Sequence, residues 1–393
     1  MKKLLVLIVI ILSAAGLTSY RLYKDRQAVM PVSSIQKTKV PEPVKPKPPS
    51  VIKGKYLVSG DVFWGRGIDY YSQRSPLKYD WAFSRLNEFH PKRYDGWISD
   101  MECPVNNRTV SYQTQVDKLI LQCPTSYLPT AAKWFTAMTI ANNHTDNTGR
   151  QGFIETQQNM TKAGIQVFGD YDLSQTDNLC EVITLPAKID GQAADLPIAM
   201  CGYHWLARSP TKAEIAKITE YSKYFPVWVF PHGGTEYDTD FTPQQQALYH
   251  QFIDAGASVV FGDHPHVVEP TEAYHGKLIV YSLGNLIYDA WFDNEVTKSL
   301  IIDVNISATV DSNLQGYLDM AKSCKAFKDD CLSKAKSERL TAPNFSYDYS
   351  FLAGDSSNAN DHSRRKHLAS SAVRTWMLKR TNWTNTVKGL EQN

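Results

Sequence analysis

The chain reads as an α/β body with much parallel sheet. Short apolar, β-branched runs alternate with longer amphipathic stretches from Tyr56 onward, the order that builds parallel sheet through helical crossovers. Nearly every apolar run also ends in a polar cluster. In open α/β sheets, ligands bind beyond the carboxyl ends of the strands. With 393 residues and 42% hydrophobic content, the chain has ample material for one large core with appendages.

The elements follow in order. Residues 1–20, "MKKLLVLIVIILSAAGLTSY", place Lys2 and Lys3 before an apolar run from Leu4 to Leu17, with small residues near its end. This is the pattern of a cleaved signal peptide, or of a retained membrane anchor near the lower length limit for a span. Either one sends the rest of the chain out of the cytoplasm, to the periplasm or cell surface. The six cysteines are an even number, which suits an oxidising space. Pairing between sequence neighbours is the simplest scheme. Cys324 and Cys331 pair only if the helix breaks between them, because seven residues of continuous helix rise about 10.5 Å. Residues 21–53, with "KTKVPEPVKPKPPSVIK", form an extended, solvated linker.

Residues 54–310 are the expected folded body. Its predicted strands are "KYLVSGD", "GWISDME", "AMTIANNH", "IQVFGD", "LPIAMCGYH", "VWVFPHGG", "SVVFGDHPH", "KLIVYSLGN" and "SLIIDVNI". Predicted helices run from Asp80 to Phe89, Gly152 to Ala163 and Pro243 to Ala255. Thr242 before Pro243 has the form of an N-cap with Pro at the first helical position. Residues 311–393 read as a helical extension and tail, with "GDSSNANDHSRR" as a mobile loop.

The chemistry lies at the strand ends. The apolar runs terminate in Asp61, in Asp100 and Glu102, in Asn142, Asn143 and His144, in His232, in His264 and His266, and in Asn285. A lone histidine at a strand end is more often a satisfied polar residue than a ligand. Here the pattern repeats on separate strands, and their convergence on one sheet edge predicts a metal site. Imidazole and carboxylate without thiolate suit Mn, Zn or Fe, as one or two divalent ions. No C-x-x-C spacing supports a cysteine-ligated metal. A formal net charge of +2, with no basic stripe among aromatics, argues against a nucleic-acid partner. His204 and His250 are read as structural, although His204 also follows a strand.

Taken together, "SGDVFWGRG", "ISDMECPV", "TIANNHTDNTG", "VFPHGGTEY", "FGDHPHVVEP" and "YSLGNLIYD" resemble the CapA-type family of poly-γ-glutamate capsule biosynthesis, over Lys55 to Asn305. The resemblance implies a calcineurin-like metallophosphatase sandwich in α/β/β/α layers. It implies Asp61, Glu102, Asn143, His232, His264 and His266 as metal ligands. It places His144 beside the substrate as general acid or oxyanion stabiliser, and Arg66 on an anionic group. Asp100, Asn142, Glu236 and Asn285 are implied as supporting or alternative ligands, with the bridging role open between Asp100 and Glu102. Tyr237 is implied as a rim residue.

Three positions depart from the family pattern. Asp100 stands where Asn is usual, Asp263 where His is usual, and Asn147 where Asp is usual. Phe63 replaces the histidine of the wider Asp-x-His motif. Two main readings of function follow, with a third beside them. One is a metal-dependent hydrolase of a phosphoester or γ-glutamyl amide, acting in capsule or poly-γ-glutamate synthesis, release or export. The other is a non-catalytic factor that binds an anionic polymer for assembly or export. A stand-alone envelope phosphoesterase is a third. Expected partners are an anionic polymer or small anionic substrate and capsule synthesis or export membrane proteins.

Overall fold

A computed structural model describes residues 49–321, 328–357 and 364–391. The N-terminal targeting segment, and the linker up to residue 48, lie outside the described residues. So does the centre of the expected C-terminal loop, residues 358–363. The body begins at Pro49. Among the described residues, no helix is long and apolar enough to cross a membrane.

Thirteen strands form one branched sheet: β1 (Val51–Val62), β2 (Gly96–Met101), β3 (Ala137–Thr139), β4 (Gln166–Phe168), β5 (Cys180–Ile189), β6 (Gln192–His204), β7 (Val227–His232), β8 (Val259–Phe261), β9 (Thr271–Tyr274), β10 (Lys277–Val280), β11 (Lys298–Thr309), β12 (Ser346–Asp355) and β13 (His367–Leu368). The main path runs β13-β12-β11-β1-β5-β6-β7-β8-β10-β9, and β2-β3-β4 leave it at β1. The branch is a division of labour along one strand. Ile52 and Lys53 pair with β5, while Tyr56 to Val62 pair with β2. Pairing is parallel within β1-β2-β3-β4, within β6-β7-β8, and between β8 and β10.

Two leaves therefore diverge from β1, and period-2 alternation gives each leaf two apolar faces. Ile98, Ala137 and Phe168 of the first leaf share a core with Ile198, Met200 and Phe230 of the second. On the other face of the first leaf, Trp97 and Met138 join Phe153 and Met160 of the helix Gly149–Lys162. This is the layered, mixed α/β architecture that the strand–helix alternation predicts. The helix Pro243–Asp254 starts as expected, at a Thr242 cap in a reciprocal capping box with Gln245.

Several expectations are corrected. Asp80 to Phe89 is a series of 3-10 turns rather than an α-helix. Phe83, Leu86 and Phe89 are all buried at three-residue spacing, which matches a turn of three residues, not 3.6. β1 begins at Val51, so the last expected linker residues are strand. The C-terminal extension is not wholly helical. Its helices Ser312–Ala321, Lys328–Ser337, Ser371–Arg380 and Trp383–Glu391 enclose β12, which pairs with β11 over ten residues. "SYDYSFLAGD" alternates in burial, and its polar alternate residues hide the strand in a composition-based reading.

Disulfides join Cys103 to Cys123 and Cys180 to Cys201, as neighbour pairing predicts. The latter staples residues that are register partners on β5 and β6. Cys331 is also disulfide-bonded. It lies in a helix that begins only at Lys328, and Cys324 lies outside the described residues.

Candidate metal centre

Parallel strands share polarity, so their carboxyl ends meet at one edge. β1 ends beside Asp61, β2 runs into Asp100 and Glu102, β3 leads to Asn142 and Asn143, and β7 ends at His232. The segment after β8 carries His264 and His266. Tight approach of backbones makes this edge possible. A Cβ on Gly60 would lie 2.1 Å from the Gly284 carbonyl and 2.5 Å from Asp263 Oδ1. His264 and His266 both hold positive φ, at 99° and 61°. Such conformations are costly for residues with a Cβ and cluster at functional sites.

The side chains form overlapping sets. Ligand atoms of Asp61, Glu102 and His266 lie within 4.8 Å of one another, and so do those of Glu102, His232 and His264. Glu102 belongs to both. Its two carboxylate oxygens are buried without any hydrogen-bond partner, as are Asp61 Oδ1 and His264 Nδ1. Buried polar atoms are otherwise almost always paired. A cation between these groups would satisfy all of them.

Asp100 behaves differently. Its Oδ1 accepts from Asn142 Nδ2 at 2.8 Å and its Oδ2 faces His232 Nδ1 at 2.7 Å. A carboxylate accepts, so Nδ1 donates and Nε2 carries the lone pair. That lone pair faces another acceptor, Asn143 Oδ1, at 2.8 Å. Two acceptors aimed at one point have the arrangement of two ligands to a common cation. The Asp100–His232 bond is the usual carboxylate support behind a metal-ligating imidazole. Asp100 is thus engaged on both oxygens, whereas both oxygens of Glu102 are without a hydrogen-bond partner.

His266 Nδ1 lies 3.0 Å from both Asp61 Oδ2 and Asn285 Oδ1, and Asn285 Nδ2 donates to the His266 carbonyl. Asn142 Oδ1 accepts from the amides of His144 and Thr145 and so shapes the turn after β3. His144 Nδ1 is 2.9 Å from Asn147 Oδ1, and burial pulls its pKa down to about 4. Arg66 is held by Asp289 through Nε at 3.1 Å and Nη2 at 2.6 Å, so its fork is engaged in an ion pair. Glu236 is exposed and adds its negative charge to the surroundings of Glu102.

Electrostatics point the same way. Four carboxylates, Asp61, Asp100, Glu102 and Asp263, are buried together. Burial pushes Asp100 up to about 7. Burial and then the neighbouring carboxylates push Glu102 and Asp263 well above the usual range. Burial holds His232 and His264 below the usual imidazole range, so both present neutral nitrogens. For His266, burial opposes protonation, but the hydrogen bond and charge of Asp61 outweigh it. Divalent cations reverse this logic for the carboxylates and take neutral imidazoles as ligands.

Three residues extend the expected set. Asp263 presents a buried, unpartnered Oδ1 beside the other carboxylates. The His204 ring centre lies 6.4 Å from that of His232, with Nδ1 2.9 Å from the Tyr171 carbonyl and Nε2 unpartnered. Its strand-end position is the signal that marks it. The ring centres of Tyr288 and Tyr237 lie 4.8 and 5.9 Å from that of His266. Phe63 is fully buried against Tyr288, so the place of the missing histidine is an apolar wall.

Fold and site define a mixed α/β protein with a carboxylate–histidine centre at the carboxyl ends of its strands. The chain belongs to the bacterial capsule synthesis protein family PGA_cap, whose model matches residues 55–290. It is 32% identical over 183 residues to the PGA biosynthesis protein CapA of Bacillus subtilis (strain 168), covering 42% of this chain and 46% of that protein. It is 26% identical over 289 residues to the capsule biosynthesis protein CapA of Bacillus anthracis, covering 68% and 67%. The match thus spans about half the length of the first relative. Among solved structures, a hypothetical protein from Thermus thermophilus aligns with TM-score 0.37 and 13% identity, over 76% of this chain and 99% of that one.

Proposed function

We propose that the chain is a metal-dependent hydrolase of the cell envelope, acting on an anionic polymer or its precursor in capsule or poly-γ-glutamate synthesis, release or export. One observation carries this reading: both oxygens of Glu102 are buried and unpartnered between two sets of ligands. Asp61, Glu102 and His266 would hold one cation of the Mn, Zn or Fe type, and Glu102, Asn143, His232 and His264 a second. When bound, such a cation supplies Lewis acidity toward an anionic oxygen of the substrate.

The chain's own residues do the rest. Asp100 fixes the tautomer and orientation of His232, and Asn285 anchors His266. His144, held at Nδ1 by Asn147 and kept neutral by burial, would use its unprotonated Nε2 to take a proton from the attacking water and then pass it to the leaving group. Arg66, committed to Asp289, contributes charge rather than direct contact. Tyr237 and Tyr288 wall the site beside His266. Disulfides support an extracytoplasmic setting, periplasm or cell surface. The partners proposed with this reading are the capsule synthesis or export proteins of the membrane.

A second reading has its own observation. Phe63 leaves one side of the centre without a ligand, which favours a factor that binds anionic polymer without turning it over. Metal analysis of the purified chain separates the two, followed by assays on phosphodiesters and γ-linked glutamate oligomers. Two equivalents with turnover support the hydrolase. One equivalent with polymer binding and no turnover supports the binding factor, and no metal after reconstitution sinks the hydrolase.

A further inference from the structure

The opposite edge of the sheet holds a feature that the metal centre does not explain. A cavity of about 500 Å3 is lined by Pro226, Ser258 and Lys277, which sit at the amino ends of β7, β8 and β10. His232 closes the far end of β7, so six residues of strand, roughly 20 Å, separate this cavity from the metal centre. Its volume lies in the range of about 300–1,000 Å3 that takes a whole small ligand.

Lys277 is the unusual group. It is half-buried at the start of β10, yet its ammonium makes no hydrogen bond or ion pair with any described residue. Burial alone holds its ammonium below the usual lysine range, and no carboxylate offsets that effect. The nearby acid Asp254 faces His275 instead, at 3.8 Å. A partly desolvated ammonium without an anion is destabilising unless something supplies the anion.

The walls indicate what else the occupant carries. Tyr347 and Tyr349, alternate residues on one face of β12, stack at 5.8 Å and both line the cavity. The Tyr347 hydroxyl is already engaged by Trp228 Nε1, which leaves its ring as the contact surface. Phe345 adds apolar wall, and Ser346 adds a hydroxyl donor.

We propose that this cavity is a second ligand site, taking a carboxylate on an apolar stem. Lys277 receives the carboxylate, and the Tyr347–Tyr349 pair receives the stem. One unpaired ammonium matches a single negative charge better than a phosphate dianion. The site is separate from the metal centre and independent of whether the chain is a hydrolase.

The test uses the full chain, hexanoate as probe and hexanamide as its uncharged isostere. Amide resonances of Gly276, Lys277 and Ser346 are followed by NMR. Hexanoate should shift them saturably, with an apparent affinity at least ten-fold above that of hexanamide. Lys277→Met should lose that ten-fold preference, and Lys277→Arg should retain most of it. Equal shifts with the two probes, or an unchanged hexanoate response in Lys277→Met, would overturn the proposal. Metal content should be the same in all three proteins, which keeps this result apart from that of the metal centre.

Discussion

Replacing Glu102 by Gln should move stability in opposite directions with and without metal. Both Glu102 oxygens are buried and unpartnered, and Asp61 Oδ1 beside them is an unpartnered acceptor. At a pH where Glu102 is ionised, Gln keeps the shape, removes the negative charge, and adds an N–H that can donate to Asp61. An unsatisfied buried polar atom costs about 1–3 kcal/mol. Metal-free Glu102→Gln should therefore be more stable than the parent by about 1–3 kcal/mol, allowing that the amide satisfies only part of the deficit. With metal the order should reverse. The parent gains about 2.7 kcal/mol when free metal is 100 times its Kd, and the variant, lacking the shared carboxylate, gains far less. The assay is urea unfolding, with chelator and then with excess Mn or Zn. Equal stabilisation of both proteins by metal would refute the assignment of Glu102 as the shared ligand. So would a metal-free variant less stable than the parent by about 1 kcal/mol or more.

Changing His264 and His266 together to Ala should lower metal affinity at least ten-fold, read by elemental analysis after gel filtration; unchanged metal content would remove both from the ligand set. Glu269, whose Oε2 accepts from Gln245 at 2.8 Å, is pushed up to about 8 by burial, with Asp238 and Asp240 adding to the effect against the Gln245 bond. Its folded pKa lies above the ordinary 4.5, so the folded state holds the proton more tightly, and this contribution is lost as pH rises from 4.5 to about 8. Glu269→Gln should flatten that part of the stability–pH curve, and an unchanged slope would count against the buried-carboxyl reading. The Cys103–Cys123 bridge spans 20 positions, so Cys103→Ser with Cys123→Ser should cost about 3 kcal/mol in chemical denaturation.

Legibility in the sequence follows from physics. Buried, apolar strands such as β7 and the second half of β6 announce themselves, because burial on both faces demands continuous hydrophobic runs. The sheet edge is legible for the same reason: parallel strands that each end in Asp, Asn or His bring those residues to one side. What sequence conceals is pairing. The branch at β1 depends on which half of one strand meets which neighbour, and no local pattern records it. β12 is masked by its polar alternate residues, and the turns from Lys78 to Phe89 are masked by apolar spacing close to helical. The different surroundings of Asp100 and Glu102 also lie beyond sequence, because they depend on Asn142 and His232 both reaching Asp100.

The branch explains why the centre has mixed chemistry. Asp61, Asp100, Glu102 and Asn143 lie at or just after the ends of β1, β2 and β3 and offer oxygen, while His232, His264 and His266 lie at or after the ends of β7 and β8 and offer nitrogen, with Asp263 adding one carboxylate. β1 joins the two sides, since the Asp61 carbonyl also accepts the amides of Leu286 and Ile287 at 2.9 and 3.1 Å. Each leaf alone supplies an incomplete set: carboxylates and an amide on one side, imidazoles with the single carboxylate of Asp263 on the other. Only the two together bring the full set of oxygen and nitrogen donors to one place. A bound cation would then tie the leaves at the edge where they diverge, which couples metal affinity to the packing of the core between them.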